Sequence, residues 1–540
     1  MNDSPPEVAV PLCDLLEPEP RARVDLASLE RAADFAFAAA GTFTEIDTSL
    51  ARATLAPSTW EPASFERALF VRELIERTFP IRIDGVTSQP DLAHLLGLLT
   101  RPPESPATTR FRQDILRELL AHDDHRRDLE RCHLHIRNLR TLLGPPESHD
   151  LSTPPQRRMA ILVAVRRTFE AMAAGFVGAT SGLARLRRTG EAVLASTGFR
   201  RLTDLLDLDQ NLAVIDARLQ IGGDGQLRSL AIVAVRENEG NRYHEPPLRR
   251  LGRRLERLWR GFFYRDEDVR DAVVDDVFQG IRRPLARLFQ VAGDLEFYLA
   301  SLGFRDHAHA RGLAVCLPAI DEGDGRRLLG LFNPHLLAGT PVPCDLTFDQ
   351  AGGVVVITGP NSGGKTRLLQ SVALAQMFAQ AGTFVPAREA RVRWAAGLFV
   401  SLIEEARHDQ REGRLGSELQ RIREVFEQLR AGGLVLLDEL CSGTNPSEGQ
   451  QIFELVVDLL SELSPQAFIS THFLDFAAHL ATSPRAGMSF LQVELDERDE
   501  PTFQFVPGVA RTSLAHKTAA RLGVTRESLQ ALVERARRRG

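Results

Sequence analysis

The segment Gly359-Pro360-Asn361-Ser362-Gly363-Gly364-Lys365-Thr366 constrains this chain most, because it stands between the apolar run VVVIT (354–358) and the helix-patterned RLLQSVALAQMFAQ. A strand, a glycine-rich turn and a helix in that order fit the phosphate cradle G-x-x-x-x-G-K-[ST]. The glycines let the backbone wrap closely, and the N–H groups opening the helix point at the anion. Lys365 then supplies a point charge at the β/γ-phosphates of ATP, and the Thr366 hydroxyl supplies a ligand for Mg²⁺. A chance glycine-rich turn is the bland alternative. Composition weighs against it: only two of the 66 basic residues are lysine, Lys365 and Lys517, so a lysine in the required slot is informative.

Two further apolar runs end in chemistry. LVLLD (434–438) closes on Asp438 and Glu439. Downstream of a phosphate cradle, Asp438 is placed to orient Mg²⁺, usually through water, and Glu439 to activate or position the attacking water. Alone, a strand ending in two acids would be unremarkable. AFIST (467–471) leads into His472, a candidate γ-phosphate sensor of the kind found in ABC-type ATPases. A lone histidine at a strand end is more often structural, so that role depends on the other two motifs. Short apolar strands alternating with helices predict an α/β domain with a largely parallel sheet, whose ligands sit at the carboxyl ends of the strands. Lys365 and Asp438 are 73 positions apart, which leaves no room for the long coiled coil of SMC-type ATPases. No LSGGQ precedes the second strand, which argues against a transporter subunit.

A chain of 540 residues suggests two or three domains. We expect a multidomain protein: residues 1–85, Ala- and Pro-rich and without an assigned role; a helical region, 86–310; and the α/β domain, 311–540. Breaks at Gly222-Gly223 and around 237–247 predict helical hairpins in the middle region. A helix after Pro246-Pro247 would set Leu248, Leu251, Leu255 and Leu258 on one face and Arg249, Arg253, Arg257 and Arg260 on the other. That arginine face is either a solvated surface or one that tracks phosphates. Net charge is −6, so nucleic-acid contact would have to be local. Five scattered cysteines without a C-x-x-C pair argue for a reducing compartment and against a disulfide or zinc framework. No apolar run is long enough to span a bilayer and the amino terminus lacks a signal-peptide pattern, so a cytoplasmic protein without membrane contact is expected.

These motifs resemble the MutS family of DNA-repair ATPases. TGPNSGGKT followed by AQAGTFVPA is similar to the family's TGPN-x-GGK-[ST] and A-Q-x-G-x-FVPA segments, and DELCSGTNPSEG (438–449) to its DE-x-x-x-GT-x-x-x-[DE]G loop. The tail PGVARTSLAHKTAARLGVTRESLQALVERA resembles the helical ending that helps pair two subunits. FRQDILREL resembles the R-x-D-x-[VIL] opening of the lever helices. The likeness is carried by 331–540, is weaker over 90–300 and is absent before that. It implies an α-helical lever and clamp region followed by an ABC-type ATPase domain. It also implies a homodimer with ATP sites at the subunit interface, adenine contacts from the VPCDL loop (342–346), and arms that close around duplex or branched DNA for repair or recombination proteins.

The departures from the family are informative. Mismatch-reading relatives carry mismatch-binding and connector domains upstream. Here Phe43-Thr44-Glu45 spells their Phe-x-Glu wedge but lies too near the core-like segment to fit both domains, so mispair recognition is not expected. Ser417 is the nearest match to the serine that contacts the neighbour's γ-phosphate, offset by a few positions. GKT and GTNPSEG are nearest to bacterial paralogues lacking the mismatch domain, and the Smr nuclease tail usual there is not expected. That branch leaves open a second function, an ATP-driven factor acting on stalled ribosomes or structured RNA.

Overall fold

The computed structural model describes residues 10–39, 45–144, 154–211, 214–221, 227–236, 266–321, 325–348, 353–402, 413–440, 445–463, 466–482, 487–511 and 524–539. The chain forms two compact units, each discontinuous in sequence: Met1–Thr54 with Arg117–Glu296, and Leu55–Leu116 with Phe297–Gly540. The divisions thus fall at 54/55, 116/117 and 296/297, whereas composition pointed to 85/86 and 310/311. Arg249, Arg253, Arg257 and Arg260 lie outside the described residues, as do Phe43 and Thr44. Glu45 opens the short helix Glu45–Ala51.

The first unit is mainly helical. In helix Asp123–Leu143, His125, Leu129, Cys132, Ile136, Leu139 and Leu143 are buried at alternating spacings of four and three, which puts them on one stripe. Asp123 and Asp124 in the first turn and Arg140 in the last match the helix dipole. Helical hairpins are not all that this region contains. Val214–Ile221 and Leu227–Arg236 are antiparallel strands. The reason is legible in retrospect: Ile215, Ala217, Leu219 and Ile221 alternate with Asp216, Arg218 and Gln220, a period of two rather than 3.6.

The amino-terminal segment is tied into the same unit by buried charge. Arg23 lies between Asp14, at 3.4 Å, and Asp294, to which it also donates a hydrogen bond. Asp294 in addition accepts from Leu15 N at 2.8 Å.

The second unit holds the predicted parallel sheet. Within it we number β1 (Gly353–Thr358), β2 (Leu398–Ser401), β3 (Leu434–Leu437), β4 (Gln466–Ser470), β5 (Met488–Leu495) and β6 (Pro501–Pro507). Helices α1 (Lys365–Ala381), α2 (Gly413–Gln428), α3 (Pro446–Leu463) and α4 (Leu474–Thr482) lie between them. The sheet order is β2-β3-β4-β1-β5-β6. The first five strands are parallel, and β6 returns antiparallel to β5. β1, β3 and β4 contain the three apolar runs singled out above. They are central and almost wholly buried, so they lack a polar face. One core joins Val354, Val356, Val435, Leu437 and Ile469 to Phe453, Val457 and Leu460 of α3. The exposed side of β2 is covered by an earlier stretch of chain: Ser64 Oγ donates to Leu398 O at 2.7 Å, and Trp60 Nε1 to Ala395 O at 3.0 Å. Such cover removes the pairing liability of an edge. A smaller sheet, Ala319–Asp321, Glu389–Arg393, Arg326–Leu331 and Cys344–Phe348 in that order, completes the unit.

Candidate nucleotide site

The glycine-rich loop leaves the carboxyl end of β1 and enters α1, as its residue pattern required. Gly359 (φ +140°) and Gly364 (φ +89°) adopt backbone angles that side chains disfavour. Gly359 is also sterically committed, because a Cβ there would come within 2.6 Å of Val493 Cγ2 on β5. Ser362 takes a left-handed φ of +72° between them. The loop is therefore held in a turn that directs the first amides of α1 toward one point, the arrangement that binds phosphate.

Lys365 is 4% exposed. Its Nζ donates to the loop's own carbonyls, Gly359 O at 3.0 Å and Pro360 O at 3.2 Å, and stands 3.8 Å from Glu439 Oε1. Burial lowers its pKa, while Glu439 and Asp438 raise it. Asp438 follows β3 and is reached across the intervening strand. Thr366 Oγ1 donates to Asp438 Oδ2 at 2.6 Å, and Ser470 Oγ, at the end of β4, donates to Asp438 Oδ1 at 2.5 Å. Ser470 Oγ in turn accepts the Glu439 N–H at 2.8 Å. Glu439 has a left-handed φ of +47°, a strained position for a non-glycine residue. The serine of AFIST, unremarkable in the sequence, is thus the bracket that aligns both acids.

A cavity of about 430 Å³ opens beside these groups, lined by Pro360, Asn361, Ser362, Lys365, Thr366 and Glu439 on one side. Its apolar wall comes from Leu336, Val342, Phe503 and Phe505. The volume suits a small ligand, and a polar end opposite an apolar wall suits one with phosphates at one end and a ring at the other. Val342 and Cys344 of the expected 342–346 loop line it. Phe503 and Phe505 were not anticipated. Phe503 has φ +61°, is 44% exposed, and would be 3.3 Å from a Cβ on Gly364. The available signal was the alternation of Phe503 and Phe505 with Gln504, whose Nε2 ties β6 to Pro343 O at 2.9 Å.

Of the two remaining expected residues, only the first is described in full. His472 directly follows β4, its ring centre 4.2 Å from that of Phe473, and does not line the cavity. Ser417 falls in α2, and its side chain lies outside the described residues.

An α/β sheet with a glycine-rich loop, buried lysine, hydroxyl and paired acids at adjoining strand ends defines a P-loop nucleotide-binding domain. Residues 355–538 match the family described as MutS domain V. Endonuclease MutS2 of Thermus thermophilus is 32% identical over 224 residues, 41% of this chain and 29% of that protein. Endonuclease MutS2 of Thermomicrobium roseum is 30% identical over 322 residues, 58% of this chain and 39% of that protein. Residues 355–538 thus carry a MutS-family domain, and the chain is similar to MutS2 proteins over the stretches they share. It spans well under half the length of these two relatives. Among the described residues, no helix is long and apolar enough to cross a membrane.

Proposed function

We propose that the chain is an Mg²⁺-dependent ATPase that works as a nucleotide-driven switch on DNA. The observation that carries this is the set of Lys365, Thr366 and Glu439 at the polar end of one open cavity, with Asp438 behind them, its Oδ2 2.6 Å from Thr366 Oγ1. A hydroxyl and a carboxylate side by side are hard oxygen donors that leave positions for phosphate oxygens and water, which fits Mg²⁺. When bound, the ion would neutralise charge on the phosphates. The chain's own groups would do the rest. The loop amides and Lys365 bind the phosphates, releasing Nζ from the Gly359 and Pro360 carbonyls. Val342 and Phe503 flank the base. Glu439, held by its N–H to Ser470, positions water for in-line attack.

The remainder of the proposal rests on the family likeness. The helical unit would supply levers and clamp arms preceding the ATPase domain. Two copies would complete each other's sites, with Ser417 and His472 at the γ-phosphate, and ATP binding would join them while hydrolysis releases the arms. Arg249, Arg253, Arg257 and Arg260 would follow the phosphates of duplex or branched DNA in repair or recombination, and the protein would work in the cytoplasm.

The test is steady-state ATP hydrolysis at fixed moderate salt, with and without duplex and four-way-junction DNA. Stimulation or marked inhibition by DNA is expected. A rate indifferent to every DNA, together with co-sedimentation with ribosomes, would move the target to structured RNA. A single-mispair duplex should bind no tighter than its perfect counterpart.

A further inference from the structure

The end of α1 remote from the phosphate loop is secured by a second set of buried contacts. The helix ends at Ala381, and Gly382 turns the chain away at φ +86°. The last carbonyls of a helix carry partial negative charge and need donors. Here two donors come from the helix Pro106–Ala121. Arg112 Nη1 donates to Ala381 O at 3.0 Å, and Thr109 Oγ1 to Gln380 O at 2.8 Å. Arg112 is 2% exposed, with its guanidinium 5.6 Å from the centre of the Phe297 ring. The fit is close, because a Cβ on Gly382 would lie 2.9 Å from Arg112 Cβ and 3.1 Å from Thr109 O. Just beyond, Thr383 Oγ1 donates to Ser301 Oγ at 2.8 Å, a tie to the helix Asp266–His309.

We propose that Arg112 and Thr109 are positioning residues for the nucleotide site, which set the axial placement of α1 and register nucleotide binding on the helix Pro106–Ala121. The reason is mechanical. α1 has 17 residues, all buried from Leu368 onward. A helix of that length is a rod of about 25 Å. Packed on all sides, it moves as one body, so a ligand that draws on its first amides acts on the contacts at its last carbonyls. Coupling between two ends of one element is reciprocal: whatever the cap contributes to ATP binding, ATP returns to the cap. Helix Pro106–Ala121 contains the division at 116/117, and Asp266–His309 the division at 296/297, so both ties reach elements that continue into the other unit.

This inference rests on the nucleotide reading above. Its test uses the full chain as wild type, Arg112→Met, Arg112→Lys and Thr109→Val. ATP affinity is measured by calorimetry, and backbone amide exchange over 106–121 is followed with and without ATP. In the wild type, ATP should slow exchange in that helix. Arg112→Met should weaken ATP binding about five-fold or more and erase the ATP-dependent slowing. Arg112→Lys should restore part of both. Thr109→Val, which removes one hydroxyl donor and keeps the shape, should show the same effects more weakly and serves if Arg112→Met does not fold. Wild-type ATP binding that leaves exchange over 106–121 unchanged would overturn the proposal, as would unaltered affinity in both Arg112→Met and Thr109→Val. If the wild type bound no ATP at all, the nucleotide reading would fall and the inference with it.

Discussion

Both units bury charge, yet to different ends. In the helical unit, Asp14 and Asp294 are fully buried and Arg23 nearly so, and the chain supplies partners for all three. In the nucleotide unit, Lys365 and Asp438 are almost as buried, but Lys365 lines a cavity of about 430 Å³ and Asp438 is bonded to Thr366, which also lines it. There the lysine's donors rest on loop carbonyls. Burial depth alone does not separate a structural charge from a functional one. What separates them is whether a cavity beside the charge leaves room for an outside group to take the place of its partners in the chain.

The comparison can be broken at several points. The largest effect is expected from Glu439→Gln, which should keep ATP binding and lower hydrolysis by about 10²–10⁴-fold. An unaffected rate would remove Glu439 from the water-positioning role. Lys365→Ala should weaken ATP binding beyond detection by calorimetry while leaving the thermal unfolding midpoint close to wild type. A large loss of stability instead would make Lys365 a structural charge like Arg23.

Arg23→Met should do the reverse. Leaving Asp14 and Asp294 buried without their cation costs about 3–5 kcal/mol in urea unfolding, with ATP affinity of the folded protein unchanged. Ser470→Ala is subtler, since it frees one oxygen of Asp438 and the amide of Glu439. It should raise the Mg²⁺ concentration for half-maximal hydrolysis about tenfold, the usual scale for losing a partner of a metal-binding carboxylate.

A last expected effect, seen only at acid pH, is a pH dependence arising in the helical unit. Burial, aided by Arg137, pushes the His133 imidazole down to about 4 from its ordinary 6.5. The unfolded chain therefore takes up a proton between pH 6.5 and 4 that the folded chain refuses, so stability present above that window is lost as pH falls through it. His133→Leu should flatten this slope in urea titrations. A slope left unchanged would assign the acid sensitivity to other groups.

The nucleotide site was legible because its chemistry is local. Eight consecutive residues make the loop, and two make the acid pair, each following a strand whose apolar run announces it. The strand pair 214–236 is hard to see in the sequence because its short alternation sits within a region of helical periodicity. Strand periodicity reveals a strand but not its neighbours. The order β2-β3-β4-β1-β5-β6 sets Ser470 between Asp438 and the phosphate loop, and β6 brings Phe503 and Phe505 to the cavity.

By itself the sequence determined the phosphate loop, the acid pair and the parallel character of the sheet, since each is a property of residues within a few positions of one another. Only the tertiary structure decided the wall of the cavity, the bracket of Ser470, the Asp14–Arg23–Asp294 group and the cap of Arg112 on α1. Apart from the Asp14–Arg23 contact, those join residues tens to hundreds of positions apart. Side-chain packing and hydrogen bonding select such partners only after the chain has folded back on itself, so no local pattern records them.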